Sequence, residues 1–276
     1  MNTTLDALVR KHPNAAAAAA TLRTLAAALP EASLPDGVPH IDAARERLVG
    51  GVPALEGEPL VEPATLMTNV RRLAEVLHTE AQLELRQVVR VLEHSVASDG
   101  GAELARAAQT GAWIAIAEWA ERIGVEPDST VTLLDHAARP ALRAGAAAVA
   151  ELIERAHWRR GSCPACGAPP LLGELRGGGT AGSPEHDRVL RCGRCLSSWN
   201  FPRLRCTKCG ETNHRRLSYL HGKGEENFRR AEVCSSCNSY LKNIGVLAPL
   251  DALELLTADL TSAALDIAAL DIGLHR

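Results

Sequence analysis

Along the first 160 residues, apolar positions recur at the spacing of helices. Leu66, Val70, Leu73 and Leu77 stand at i, i+4, i+7 and i+11 of Ala64–Leu77 and line one helical face. Ala15–Leu29 is rich in Ala and Leu and stops at Pro30. Ile41–Val49 ends at Gly50-Gly51, and Ala81–Ser95 ends at Asp99-Gly100-Gly101. Ala102–Ile123 predicts one long helix or two shorter ones before Gly124. Asp128-Ser129-Thr130 predicts the cap of the next. Pro140 suits a first helical turn, so Pro140–His157 predicts a further helix. Glu31–His40, with Pro35, Gly37 and Pro39, predicts a loop.

The pattern changes at Gly161. From Cys163 to about Ile244 the chain reads as short β-like runs and turns, and Gly177–Pro184 reads as a hairpin tip. After Pro249 an acidic amphipathic pattern returns over Asp251–Leu274. Its Leu253, Leu256 and Leu260 predict a face that packs back on the protein. The expected organisation is a helical domain over 1–160, two small β units over 161–204 and 205–247, and a helical tail over 248–276. The fold class is therefore a mainly α N-terminal domain, tandem zinc-ribbon or rubredoxin-like β units, and a C-terminal helical tail.

Cysteine usage identifies the chemistry of the β region. All eight cysteines fall in four Cys-x-x-Cys pairs: Cys163/Cys166, Cys192/Cys195, Cys206/Cys209 and Cys234/Cys237. One such turn lets two thiolates grip a metal ion, and two turns complete a tetrahedral four-sulfur site. Four pairs imply two metal ions. Disulfides are the bland alternative, but a redox protein usually shows a single pair and a staple framework rarely shows only this spacing. The pairs also repeat: Cys163 to Cys206 is a step of 43 residues and Cys192 to Cys234 a step of 42. The repeat matches the first pair with the second and the third with the fourth, though crossed matching stays open. Gly167 and Gly210 follow the second cysteine of their pairs, where a positive φ lets N–H groups point at sulfur.

Composition sharpens this picture in two ways. Only 3% of residues are aromatic, and six of the eight rings (Trp158, Trp199, Phe201, Tyr219, Phe228 and Tyr240) lie among or beside the cysteines. A small metal ribbon has little core, so large rings are expected to fill it. Charge is split as well. Residues 155–245 carry 16 Lys and Arg against 7 Asp and Glu, while the net charge of the chain is −3. Eight thiolates with two divalent ions would absorb part of that excess, leaving about +5. This weakens a nucleic-acid reading.

Other chemistry is thin. His157, His186, His214 and His221 stand near the cysteines, but eight thiolates already fill two tetrahedra. The glycine-rich segment 177–182 has no Gly-Lys-Ser/Thr and no following helix, so a phosphate loop is not supported. No nucleophile elbow, His-Glu-x-x-His motif or carboxylate pair is present, and no catalytic residue is assigned. Met1-Asn-Thr-Thr-Leu-Asp lacks a basic leader, no stretch reaches the length of a membrane span, and the thiols suit a reducing compartment. A cytoplasmic location without membrane insertion is the expectation, and self-association stays open.

Several of these residues carry a resemblance. The run Trp158-x-x-Gly161-x-Cys163-Pro164-x-Cys166-Gly167-x-x-Pro170 is followed by Arg191-Cys192-x-x-Cys195-x-x-x-Trp199 and Arg205-Cys206-x-x-Cys209. Then come Leu217-x-Tyr219 and Glu232-x-Cys234-x-x-Cys237-x-x-Tyr240-Leu241-Lys242. Together they resemble FdhE, the formate dehydrogenase accessory protein family, over about residues 158–242. Ala168 stands where Ser is expected and Asn238 where Gly is common, and neither removes a thiolate. The resemblance implies an assembly factor that binds the molybdopterin-containing catalytic subunit of a respiratory formate dehydrogenase before export. It implies no formate turnover by this chain, and it adds rubredoxin-like iron to zinc as a candidate metal.

Two other classes remain in view. A nucleic-acid-binding ribbon needs Arg191, Arg194, Arg203, Arg205, Lys208, Arg215 and Arg216 on one exposed face. A thiol-redox or electron-transfer protein needs a metal-free or cycling pair. For a protein partner, the candidate surfaces are the loops His221–Asn227 and Gly177–His186, with Arg203 and Arg205 between the metal sites.

Overall fold

The computed structural model describes residues 13, 16–76, 82–97, 100–176, 187–225 and 228–276. Leu77 of the apolar stripe, the tip 177–184 and His186 lie outside them. The chain forms two compact units. Among the described residues, one comprises those of 23–152 with Ala165–Ala168; the other comprises those of 13–22, Ile153–Pro164 and those of 169–276.

Among the described residues, eight helices lead up to the β region: α1 Ala16–Ala28, α2 Ile41–Val49, α3 Pro63–Val76, α4 Gln82–Ala97, α5 Gly101–Thr110, α6 Trp113–Arg122, α7 Pro127–Ala148 and α8 Ala150–Arg155. The stripe residues Leu66, Val70 and Leu73 of α3 are buried. They join Leu92, Leu104, Ala108, Ile116, Leu134 and Ala138 in one hydrocarbon core. The ambiguous segment 102–123 is two helices, because Gly111 closes α5 in the left-handed conformation, at φ 74°.

Around α7 the structure differs from the sequence expectation at two points. The cap of α7 is Glu126, whose carboxylate accepts from the N–H groups of Asp128 and Ser129, with Pro127 at the first helical position. Pro140 does not begin a helix but sits inside α7, buried. Its ring leaves the His136 carbonyl without an N–H. Burial in the core outweighs that loss, and Asn69 of α3 donates to the adjacent Ala137 carbonyl at 2.9 Å.

The other unit is built on six strands: β1 Leu172–Arg176, β2 Asp187–Arg191, β3 Ser198–Asn200, β4 Leu217–His221, β5 Arg229–Cys234 and β6 Ser239–Val246. Their order is β3-β2-β1-β6-β5-β4. All neighbours are antiparallel except β1 and β6, which pair parallel with Gly173 opposite Asn243. The repeat units 161–204 and 205–247 each supply three strands to this one continuous sheet.

Alternation assigns its two faces. Leu172, Glu174, Val189, Tyr240, Lys242 and Ile244 point one way. Arg188, Gly173, Asn243, Arg230, Glu232 and Tyr219 point the other. Helices α9 Ala252–Thr261 and α10 Ala263–Asp271 cover the first face. Asp251 begins α9 with a capping box closed by Glu254. The tail does pack back, but through Leu255, Ala258, Leu265 and Ala269, not through Leu253, Leu256 and Leu260, which are only half-buried. The tail is apolar on several sides, so periodicity alone does not choose the face. Close approach to a sheet favours the side carrying Ala.

Candidate metal centres

Each Cys-x-x-Cys pair forms a tight turn before or after a strand. Cys163/Cys166 precedes β1, and Cys192/Cys195 joins β2 to β3. Cys206/Cys209 precedes β4, and Cys234/Cys237 joins β5 to β6. The residue after each second cysteine has positive φ: Gly167 at 77°, Leu196 at 66°, Gly210 at 77° and Asn238 at 52°. Leu196 and Asn238 thus take a conformation that favours glycine. The turn requires it whatever the residue, and spacing alone did not single out Leu196.

The structure brings the thiols together in two groups. Cys163, Cys166, Cys192 and Cys195 have their sulfurs within 4.8 Å of one another, and so do Cys206, Cys209, Cys234 and Cys237. None is in a disulfide. The separations are 3.5 Å for Cys163–Cys195 and 3.7 Å for Cys206–Cys237 and for Cys209–Cys234. Four sulfurs at the ~2.3 Å of a metal–thiolate bond lie about 3.8 Å apart, so either group fits an ion at its centre. His157, His214 and His221 are exposed and belong to neither group.

Backbone N–H and hydroxyl groups surround the sulfurs. Lys208 N–H donates to Cys206 Sγ at 3.4 Å, and the hydroxyls of Ser239 and Ser197 lie 3.0 Å from Cys237 Sγ and 3.3 Å from Cys195 Sγ. Burial pushes the Cys206 thiol up. The N–H groups of Cys209 and Lys208 with the Ser239 hydroxyl outweigh it and bring Cys206 down to about 7. Cys209 accepts from the Glu211 N–H, which favours its thiolate. Desolvation and the three neighbouring thiols overcome this and push it to about 12. Four thiols this close ionise together only with a cation among them, so the group could hold a metal ion.

Buried charge holds the frame around the clusters. On the face away from α9 and α10, Arg188 of β2 pairs with Glu232 of β5 at 2.6 Å, and Arg188 also donates to the Pro202 and Arg205 carbonyls. Gly173 lies between the partners, so the two long side chains reach past a position without a side chain. On the covered face, Tyr240 donates to Asp266 at 2.9 Å, while fully buried Lys242 pairs with Asp259 at 2.8 Å and Asp266 at 2.5 Å. Burial and the Asp266 carboxylate push the Tyr240 hydroxyl up to about 12. The Tyr240-Leu241-Lys242 motif therefore ties the last strand to the C-terminal helices.

Gly161 has a different constraint. A Cβ there would fall inside the Thr207 carbonyl, at the turn of the third cysteine pair. Trp158 and Trp199 donate to the carbonyls of Ser162 at 2.8 Å and Arg160 at 3.2 Å. Four of the six rings fill the interior as expected; Tyr219 and Phe228 are exposed instead.

Comparison with known proteins agrees with this architecture. A family model described as "FdhE, C-terminal domain" matches residues 204–276. A protein from Pseudomonas putida (strain KT2440) named "Protein FdhE homolog" is 30% identical over 250 residues, 88% of this chain and 73% of that protein. A protein of the same name from Stutzerimonas stutzeri (strain A1501) is 41% identical over 115 residues, 41% of this chain and 35% of that protein. That match spans about a third of the relative's length. The crystal structure of the FdhE protein from Pseudomonas aeruginosa superposes with a TM-score of 0.67 at 27% identity, covering 99% of this chain and 91% of that one.

Proposed function

The chain belongs to the FdhE family, and from that premise we propose that it is an accessory protein of a respiratory formate dehydrogenase. It binds the molybdopterin-containing catalytic subunit in the cytoplasm and assists its maturation, without turning over formate itself. Cys163, Cys166, Cys192 and Cys195 hold one iron or zinc ion, and Cys206, Cys209, Cys234 and Cys237 hold the other. The observation that carries this reading is the pair of four-thiol clusters built into a single sheet. Four sulfurs fill a tetrahedron, so a bound ion keeps no open position for substrate and acts as a structural clamp. A surface held rigid in this way binds a protein with little ordering cost.

The competing readings lose specific support. Arg191 and Arg194 are 7% and 8% exposed, which removes them from any basic face for nucleic acid. No Cys-x-x-Cys pair stands alone as a redox dithiol would. Among the described residues no helix is long and apolar enough to cross a membrane.

The test joins metal content to capture. Protein purified without oxygen should contain two metal ions per chain, red if iron and colourless if zinc. Loaded protein should pull down the immature catalytic subunit, and a strain lacking this chain should lose formate dehydrogenase activity. Intact metal-loaded protein that captures no subunit, or full activity in that strain, overturns the proposal.

A further inference from the structure

Beside the face of the sheet away from α9 and α10 lies a cleft of about 990 Å³. Its lining is dominated by guanidinium groups: Arg188, Arg230, Arg203 and Arg159. Glu154 is the one acidic residue among the described lining. Such concentration of one charge in a concavity focuses its field and attracts anions. Arg188 is spoken for by Glu232 and two carbonyls. Among the described residues, Arg159, Arg203 and Arg230 form no direct ion pair within 4.0 Å, although Arg203 and Arg230 lie near enough to Glu232 to act on its carboxylate.

The rings of the cleft position these cations. Arg230 lies over Tyr219 at 4.3 Å, and Arg188 lies over Phe201 at 5.1 Å. Of these two, Arg230 has no direct carboxylate partner among the described residues, so its forked donors suit a planar carboxylate. Trp158 and Phe201 are 8% and 5% exposed, so the open rings of the cleft are Tyr219, over which Arg230 lies, and His157. The cleft therefore offers little surface for base stacking and much for carboxylates. Its rim includes Asn200 of β3 and Tyr219 of β4, the two edge strands of the sheet. Edge strands present backbone donors and acceptors to an extended chain.

We propose that this cleft is a docking site for an acidic, extended peptide segment of a protein partner, whose carboxylates are taken by Arg159, Arg203 and Arg230. The proposal deepens the accessory-protein reading by placing part of the partner surface on the sheet.

A fluorescein-labelled Glu-Ser repeat peptide tests it by anisotropy with the full-length metal-loaded protein. Binding is expected, falling with added salt and lost when Gln replaces Glu. A hydrogen bond to a charged group contributes about 1.5–3 kcal/mol, so each of Arg159→Ala, Arg203→Ala and Arg230→Ala should weaken binding by about tenfold or more. Arg215→Ala, at an exposed position outside the cleft, should not. Metal content and circular dichroism identify variants that still fold, and Arg188 is left intact because it is structural. No binding to the wild type, or equal binding by a folded triple variant, overturns the proposal. Displacement of the peptide by oligothymidylate, at lower concentration and through the same arginines, reassigns the cleft to nucleic acid. Pull-down separates the two readings. A triple variant that captures the catalytic subunit as well as the wild type defeats the cleft alone. A wild type that binds the peptide but captures no subunit defeats the partner assignment alone.

Discussion

The two units are stabilised by different chemistry. The helical unit buries hydrocarbon: Leu66, Leu73, Leu92, Leu104, Ile116 and Leu134 meet in one core, and Asn69, Gln109 and Glu58 are exceptions with assigned partners. The sheet unit buries charge and sulfur. Arg188, Arg191, Glu174, Glu232, Lys242 and Asn243 are all inside it, with seven of the eight cysteines; Cys166 falls in the segment Ala165–Ala168 grouped with the helices. A small sheet has little apolar area to fold on burial alone, so buried ion pairs, and any ion the thiols hold, are expected to carry its stability. A large bundle needs neither. The difference predicts that the helical unit tolerates loss of metal and the sheet unit does not.

The sharpest test of this contrast is metal removal. Metal binding to such sites supplies on the order of 10 kcal/mol of folding free energy. Chelation, or Cys206→Ser, should unfold the sheet unit and leave the helical unit's circular dichroism in place. Limited proteolysis would show cuts between residues 163 and 237, and full protection there would break the comparison. The second cluster should lose its ion first, because Cys209 is exposed whereas the first cluster has three buried thiols and one half-buried.

A smaller effect separates buried charge from buried hydrocarbon. Glu232→Leu leaves the Arg188 guanidinium buried without its carboxylate, and breaking a buried pair costs about 3–5 kcal/mol. Leu134→Ala leaves a cavity in the helical core at a cost of about 2–5 kcal/mol. Thermal unfolding should show the first substitution lowering metal retention along with stability, and the second lowering stability with both ions still bound. Equal metal loss in both would mean the units do not unfold separately.

Gly161→Ala should follow, at about 1–3 kcal/mol, since the new methyl meets backbone at Thr207 that cannot move as a side chain could. Metal titration of this variant should show weakened loading.

The smallest effect is a pH dependence confined to the helical unit. Burial pushes the Glu58 carboxyl up, but His40 at 2.8 Å and Arg47 at 2.7 Å outweigh it and hold it below its ordinary 4.5. A depressed carboxylate pKa contributes stability above the unfolded value, and that contribution is lost as pH falls through the folded value. The helical melting temperature should therefore drop below about pH 4.5, and Glu58→Gln should flatten that part of the profile.

Much of the site was legible because its chemistry is local. Two cysteines three apart form one turn whatever surrounds them, and the steps of 43 and 42 residues exposed the repeat that pairs the turns. The helix face Leu66, Val70 and Leu73 was legible for the same reason, since its period is a property of one segment. Burial of Tyr219 was misread, because a ring near a metal turn can stack on Arg230 at the surface as readily as enter the core. Pro140 was misread because propensity is a weak prior against tertiary burial.

The amino-acid sequence by itself determined which residues could bind metal, how the chain divides into helical and cysteine-rich parts, and that two ions are called for. These follow from residue type and short-range spacing. Only the tertiary structure decided that the two repeats share one sheet through the parallel β1–β6 pair. It also decided that Arg188 meets Glu232 past Gly173, that Lys242 meets Asp259 and Asp266, and that four arginines converge on one cleft. Each joins positions from separate strands, helices or loops, some more than 40 residues apart. Strand order and register set such meetings, and no local period encodes them.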